Sequence, residues 1–250
     1  MKKISYLFLL LFYGIPLLAQ NNDLFQQANT AYNEGNYQEA IQNYESIIEN
    51  GETSAELYFN LANAHYKLNH IAPSIYYYEK ALLLNPGDSD FKNNLEFARN
   101  MAVDEIEVVP KTGLSKIMNN LISVLSFNGW AWVAVIASIM FATLFLLYYF
   151  SGTSGIKRLF FTTSIIALML MISSLIFAYQ QQEYSKNSRF AIIFSEEASV
   201  RNEPSLRSNE ILVLHEGTKV KVLETFQNWI KFELANEIQG WMDKSEVRFL

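Results

Sequence analysis

Two apolar runs decide how this chain is built: WAWVAVIASIMFATLFLLYYF, from Trp130 to Phe150, and LFFTTSIIALMLMISSLIFAY, from Leu159 to Tyr179. Neither holds a charged side chain, and each has the length of about 20 residues that a membrane crossing needs. At about 1.5 Å of rise per helical residue each reaches about 31 Å, matching a hydrocarbon core of about 30 Å. Peptide groups find no water there, so each run must close its hydrogen bonds internally as a helix. Trp130, Trp132, Tyr148, Tyr149 and Tyr179 stand at the run ends, where amphipathic rings favour the membrane interface. Only residues 151–158 separate the runs. They predict a transmembrane hairpin, which leaves everything before and after it on one side. Buried core helices of a soluble protein rarely run so long without a polar face.

Composition narrows the field. The 250 residues carry a net charge of -6 and a sequence pI near 5.2, so the chain is not strongly basic, which argues against nucleic acid as a partner. Cysteine is absent, which removes disulfides, thiolate chemistry, thiol metal sites and a lipoprotein anchor.

Met1-Lys2-Lys3, an apolar segment from Ile4 to Ala19 and then Gln20-Asn21-Asn22 read as a secretory signal peptide over residues 1–20. Leu17 stands where a small residue is preferred before cleavage, so an uncleaved anchor helix is the alternative. Both send the chain from Asn22 onward across the membrane. Lys157 and Arg158 lie in the short connection, where positive charge favours the cytoplasm. The expected topology is two passes through a bacterial inner membrane, with the 151–158 loop cytoplasmic and both flanking regions periplasmic.

Between Asn21 and Asp88 the chain repeats itself at a fixed spacing. Ala28 matches Ala62, Tyr32 matches Tyr66, Gly35 matches Asn69, Ala40 matches Ser74, Ile41 matches Ile75, Tyr44 matches Tyr78 and Ile48 matches Leu82. In period and in residue pattern this resembles the tetratricopeptide (TPR) repeat. The second copy fills the pattern with Tyr58, Leu61, Ala62, His65, Ser74, Tyr78 and Pro86; the first with Leu24, Gln27, Ala28, Ala31, Ala40 and Tyr44. The domain is expected over 21–104, with repeats at 21–54 and 55–88 and a capping helix at 89–102. Small residues at 28, 40 and 62 let helices cross closely, while Tyr37, Ile41, Tyr44, Ile75, Tyr78 and Leu82 fill the space between layers.

The resemblance implies peptide binding on a concave face made by the first helix of each repeat. On this sequence that face takes Phe25, Asn29, Tyr32 and Asn33, then Phe59, Asn60, Asn63, Tyr66 and Lys67, then Asn93, Asn94 and Phe97. Asn29 and Asn60 are the pair it singles out, since an amide can both donate to and accept from an extended backbone. Phe25 and Asp90 occupy two places where some relatives clamp a terminal carboxylate with basic residues, so a carboxylate-clamp adaptor is not expected. From Asn21 to Val109 there are 14 acidic and 4 basic residues, a net of -10, which is either a solvated acidic face or a preference for a basic partner.

Val108-Val109-Pro110 and Gly113 punctuate the chain before Leu114, Ile117, Met118, Leu121, Ile122 and Leu125 recur at helical spacing. An amphipathic juxtamembrane helix is expected over 110–128, lying on the leaflet surface or against the repeats.

Past Tyr179 the pattern alternates. Strand-like runs at 189–194, 198–201, 211–214, 219–225, 229–233 and 240–242 are separated by turn residues, predicting a small all-β barrel. Ala198-Ser199-Val200-Arg201-Asn202-Glu203-Pro204, Glu216-Gly217-Thr218-Lys219-Val220, Trp229-Ile230-Lys231 and Gly240-Trp241-Met242 come in the order of the bacterial SH3-like domain, which they resemble and which is expected over 187–250. Phe226, Trp229 and Trp241 either line a groove or fill the core, and Trp241 is assigned to the core.

His65, His70 and His215 show no ligand spacing on a shared face, and no phosphate loop, nucleophile elbow or paired-carboxylate motif occurs. No metal, cofactor or catalysis is expected. The fold class is thus a multi-domain membrane protein: an all-α TPR solenoid, a two-helix transmembrane hairpin and an all-β SH3-like barrel. This order resembles the TPR proteins of the Bacteroidetes aerotolerance operon, the BatE type. That resemblance implies a non-catalytic scaffold beside membrane proteins with von Willebrand A domains and a MoxR-type ATPase. The alternative is a cell-wall sensor whose barrel binds peptidoglycan peptides.

Overall fold

The computed structural model describes residues 21–106, 113–187 and 189–250. The expected signal peptide and the first residues of the juxtamembrane helix lie outside them. The described residues gather into two compact units, one holding the helical repeats together with the C-terminal sheet, the other holding 85–87 and the apolar helices.

In the first unit, α1 (21–33) packs on α2 (Tyr37–Glu49), and α3 (Ala55–Lys67) on α4 (Ile71–Leu84), with α5 (Ser89–Arg99) closing the series. The chain turns at Gly35 with φ +84° and, one repeat on, at Asn69 with φ +57°. Asparagine is one of the few residues that tolerates this left-handed backbone, which accounts for its standing in for glycine. The alanines at 28, 40 and 62 are fully buried, and Tyr44, Ile75 and Tyr78 are at most 1% exposed. Both α3 and α5 start at a side-chain cap: Ser54 accepts from Leu57 N at 3.0 Å, and Asp88 from Asp90 N at 2.9 Å and Phe91 N at 3.2 Å. The two caps stand one repeat apart, so α5 begins in the same way as the first helix of a repeat.

The C-terminal sheet is antiparallel throughout, with strand order β3-β2-β6-β5-β4-β1-β7. Its strands are β1 (Phe190–Ile193), β2 (Glu197–Arg201), β3 (Glu210–His215), β4 (Lys219–Phe226), β5 (Trp229–Glu233), β6 (Gln239–Asp243) and β7 (Val247–Phe249). Alternate residues of all seven strands meet in one core, including Ala191, Val200, Leu214, Val220, Phe232, Met242 and Val247. β7, which sequence alternation does not reveal, follows a short 3₁₀ turn (Lys244–Glu246) and pairs with β1.

Repeats and sheet share a packed junction. Ile192 of β1, fully buried, joins Ile75, Tyr78 and Leu95 in one apolar cluster, with Phe194 and Leu250 at its margin. Glu79 of α4 is gripped by Arg99 of α5 at 2.5 Å and Lys219 of β4 at 2.7 Å. Burial alone would raise the Glu79 carboxyl; Lys219 and Arg99 outweigh it and hold the group below the usual carboxylate range. Asp104, just past α5, accepts from the backbone N and the Nδ1 of His215, both at 2.7 Å, and from Thr218 Oγ1 at 2.6 Å. Ile106 packs on the sheet's own core. Gly217, at φ +88°, sits so close to α4 that a Cβ there would lie 2.9 Å from Ile75 Cδ1 and 3.0 Å from Ile71 Cγ2.

The second unit holds α6 (Leu114–Ile122), α7 (Phe127–Phe150) and α8 (Ser154–Asn187). The amphipathic helix is shorter than its sequence pattern: Ser126 caps α7 by accepting from Gly129 N at 3.3 Å, so the helix breaks between 122 and 127. Likewise α8 begins at Ser154 and runs beyond Tyr179 through the polar Gln180-Gln181-Gln182. α7 and α8 pack through small residues, with Ala134, Ala137, Ser164, Ala167, Ser174 and Ala178 all buried. Small side chains at the contact let the two helix backbones approach closely. Ser164 Oγ donates to Phe161 O at 2.7 Å and Ser174 Oγ to Leu170 O at 2.8 Å, so these hydroxyls are satisfied within the helix. Both helices are long and apolar enough to cross a membrane, and only 11% and 17% of their apolar windows are buried. The core helix of a soluble protein would be covered on most sides; these are not.

Candidate functional site: an amide ladder on the repeat face

The first helices α1, α3 and α5 share one face, and along it runs a hydrogen-bonded ladder with the period of the sequence. Tyr44 donates its hydroxyl to Asn29 Oδ1 at 2.6 Å, and Tyr78 to Asn63 Oδ1 at 2.5 Å. Asn60 Nδ2 donates to the same Asn29 Oδ1 at 3.2 Å, and Asn94 Nδ2 to Asn63 Oδ1 at 3.4 Å. Every member of the first set recurs in the second, one repeat later. Burial, with Tyr32 adding to it, pushes the Tyr44 phenol up to about 12 against the Asn60 amide, and burial also raises Tyr78. Both phenols therefore stay protonated donors at any physiological pH. Because two donors converge on each Oδ1, the amide orientation of Asn29 and Asn63 is fixed, with each Nδ2 turned outward.

Asn29, Tyr32, Asn33, Tyr44, Asn60 and Asn63 line a pocket of about 310 Å³. Five of these six are legible in the sequence as groove residues. Tyr44 looks there like packing alone, although its place 15 residues after Asn29, matched by Tyr78 after Asn63, is the available clue. Phe25 and Phe59 stand at the face as packing groups: Phe25 lies 5.9 Å from the Tyr44 ring, and Phe59 stacks on Phe91 at 4.5 Å. Tyr66 is half-buried in the cluster that holds Ile75, Lys67 is exposed, and Asn94 is tied into the ladder. No charged side chain lines the pocket, so it offers neutral donors and acceptors of the kind that match a peptide backbone.

A second surface lies on the sheet. Gly240 and Met242 point into the core, which places Trp241 between them on the outer face, and Trp229, next to the inward Ile230, has the same outward parity. The assignment of Trp241 to the core is thereby corrected: strand alternation gives that parity to Met242. Trp241 pairs across strands with Arg201 and Lys231, and Trp229 with Phe226, which is 48% exposed.

The histidines are less isolated than their spacing indicates. His65 Nδ1 lies 3.1 Å from His70 Nδ1 across the α3–α4 turn, and His215 meets Asp104. His65 fills a packing slot at 7% exposure; burial, then His70 and Arg248, lower it to about 4. No group of three metal-ligating side chains occurs among the described residues.

Fold and face together define a helical-repeat domain joined to a small all-β domain. The tetratricopeptide repeat family matches residues 55–88, and the bacterial SH3 domain family matches residues 196–248. No curated protein matches the chain. Among solved structures, an NlpC/P60 family protein from Bacillus cereus aligns at 21% identity with a TM-score of 0.22. The alignment covers 28% of this chain and 23% of that one.

Proposed function

We propose that this chain is a non-catalytic scaffold, anchored by α7 and α8 as a transmembrane hairpin, whose repeat face holds an extended segment of a partner protein. The observation that carries the reading is the periodic ladder, in which buried tyrosines fix asparagine amides so that they present donors to a neutral pocket. The repeat match supports protein partners in general. The domain order supports placing both modules on the periplasmic side of a bacterial inner membrane. It also supports an aerotolerance-type envelope complex, with membrane proteins carrying von Willebrand A domains as the partner class. Affinity capture of the full-length protein from native membranes tests this: Asn29→Ala with Asn60→Ala should reduce partner recovery at unchanged protein abundance, and equal recovery would count against the groove.

A second reading is favoured by the outward Phe226, Trp229 and Trp241 on a domain matched by the bacterial SH3 family. On this reading the sheet binds cell-wall peptides. Trp241→Ala should then abolish co-sedimentation of the full-length protein with peptidoglycan sacculi, and full retention would exclude that face.

A further inference from the structure

The ladder stops at a residue that does not belong to it. In the register that equates Ser54 with Asp88, Leu57 with Phe91, Asn60 with Asn94 and Ala64 with Ala98, the slot of Asn29 and Asn63 falls on Phe97 of α5. The buried positions of α5 keep to their slots: Phe91, Leu95 and Ala98 are between 0% and 6% exposed. Phe97 is 59% exposed, so it does not serve the core. The tyrosine that would fix a third amide would stand at position 112, which is threonine. The amide row therefore gives way to an aromatic ring at its C-terminal end, one repeat beyond Asn63 in the groove proposed above.

We propose that Phe97 is the specificity-determining end of that groove, so that the bound segment is extended, is held by its backbone along Asn29 and Asn63, and carries one large apolar side chain against α5. This rests on the scaffold reading and says what the partner must look like. Neighbouring helices lie about 8–10 Å apart, and an extended chain advances about 3.3 Å per residue. The apolar side chain should then fall about three residues from the peptide group facing Asn63.

The test uses full-length protein in detergent and short fluorescein-labelled Ala/Ser peptides, with a single Phe moved through the positions. Anisotropy should show binding tightest at one position, about tenfold tighter than the Phe-free host, as burial of most of a phenylalanine ring gives. Phe97→Asn should erase that gain, so that Phe-bearing and Phe-free peptides bind the variant alike, while Phe97→Leu keeps most of it. A gain that survives Phe97→Asn, or a flat Phe scan over peptides that do bind, overturns the role of Phe97 alone. Failure of every peptide to bind wild-type protein overturns the groove reading itself. Loss of self-association in Phe97→Asn, with the Phe scan unaltered, would show that a second copy covers the ring and overturn the proposal.

Discussion

Glu79 and Lys219 are 140 residues apart in the chain and 2.7 Å apart in the structure, with the carboxylate buried between α4 and β4. Arg99 takes the other carboxylate oxygen. Repeats and sheet are thus joined by a charged centre beside an apolar cluster, and its energetics show when one member is removed.

Glu79→Gln leaves Lys219 and Arg99 without their anion. Removing one partner of a buried pair costs about 3–5 kcal/mol, but Arg99 is 51% and Lys219 27% exposed, so water recovers part of this and a loss of about 1–2 kcal/mol is expected. Chemical denaturation of the full-length protein followed by tryptophan fluorescence would measure it.

The same centre sets an acid limit. A carboxyl held below its ordinary value stabilises the fold above that value, and the stability is lost as pH falls through the folded one. His65, lowered to about 4 by burial, acts earlier: below pH about 6.5 the unfolded chain takes a proton that the folded chain refuses. Stability should therefore decline in two stages on acidification. His65→Phe should remove the upper stage and Glu79→Gln the lower. A single unchanged transition in both variants would contradict this.

Asp104 satisfies three donors from one turn of the sheet. Asp104→Ala leaves the His215 N–H, the imidazole and the Thr218 hydroxyl without it, at a cost of about 1–3 kcal/mol. Hydrogen exchange should accelerate at His215 and Thr218 while the α2–α3 packing stays protected.

The two repeat turns give opposite responses. Gly35→Ala forces a side chain into a left-handed backbone and should cost about 1 kcal/mol, although its Cβ would meet no atom. Asn69→Gly should be neutral or stabilising by a few tenths of a kcal/mol. Paired thermal melts decide this.

The absence of cysteine makes the membrane topology directly testable by single-cysteine labelling. An impermeant maleimide should reach Gln38→Cys and Leu206→Cys from outside intact spheroplasts, and Gly155→Cys only after permeabilisation. Labelling of all three from one side would refute the hairpin.

Whatever repeats locally is legible in the sequence. The repeat period, the turns at Gly35 and Asn69, the two apolar helices and six of seven strands are written in patterns a few residues wide. The Glu79–Lys219 and Asp104–His215 links are not, because charged residues far apart in sequence carry no periodic mark of their pairing. Trp241 shows how size misleads: a large ring suggests burial, but the inward Gly240 and Met242 fix the parity and put it outside. The amide face is readable from the repeat register, whereas the role of Tyr44 needs the structure. A buried tyrosine looks the same in sequence whether its hydroxyl is idle or holds Asn29.

The most direct test of the scaffold places a photo-crosslinking amino acid at Asn33, an exposed residue that lines the pocket, in the full-length protein in native membranes. A groove that holds one extended partner segment predicts adducts that map to a single contiguous stretch of a partner protein and that disappear when Asn60→Ala is added. Adducts scattered over unrelated proteins, or unchanged by Asn60→Ala, would contradict it.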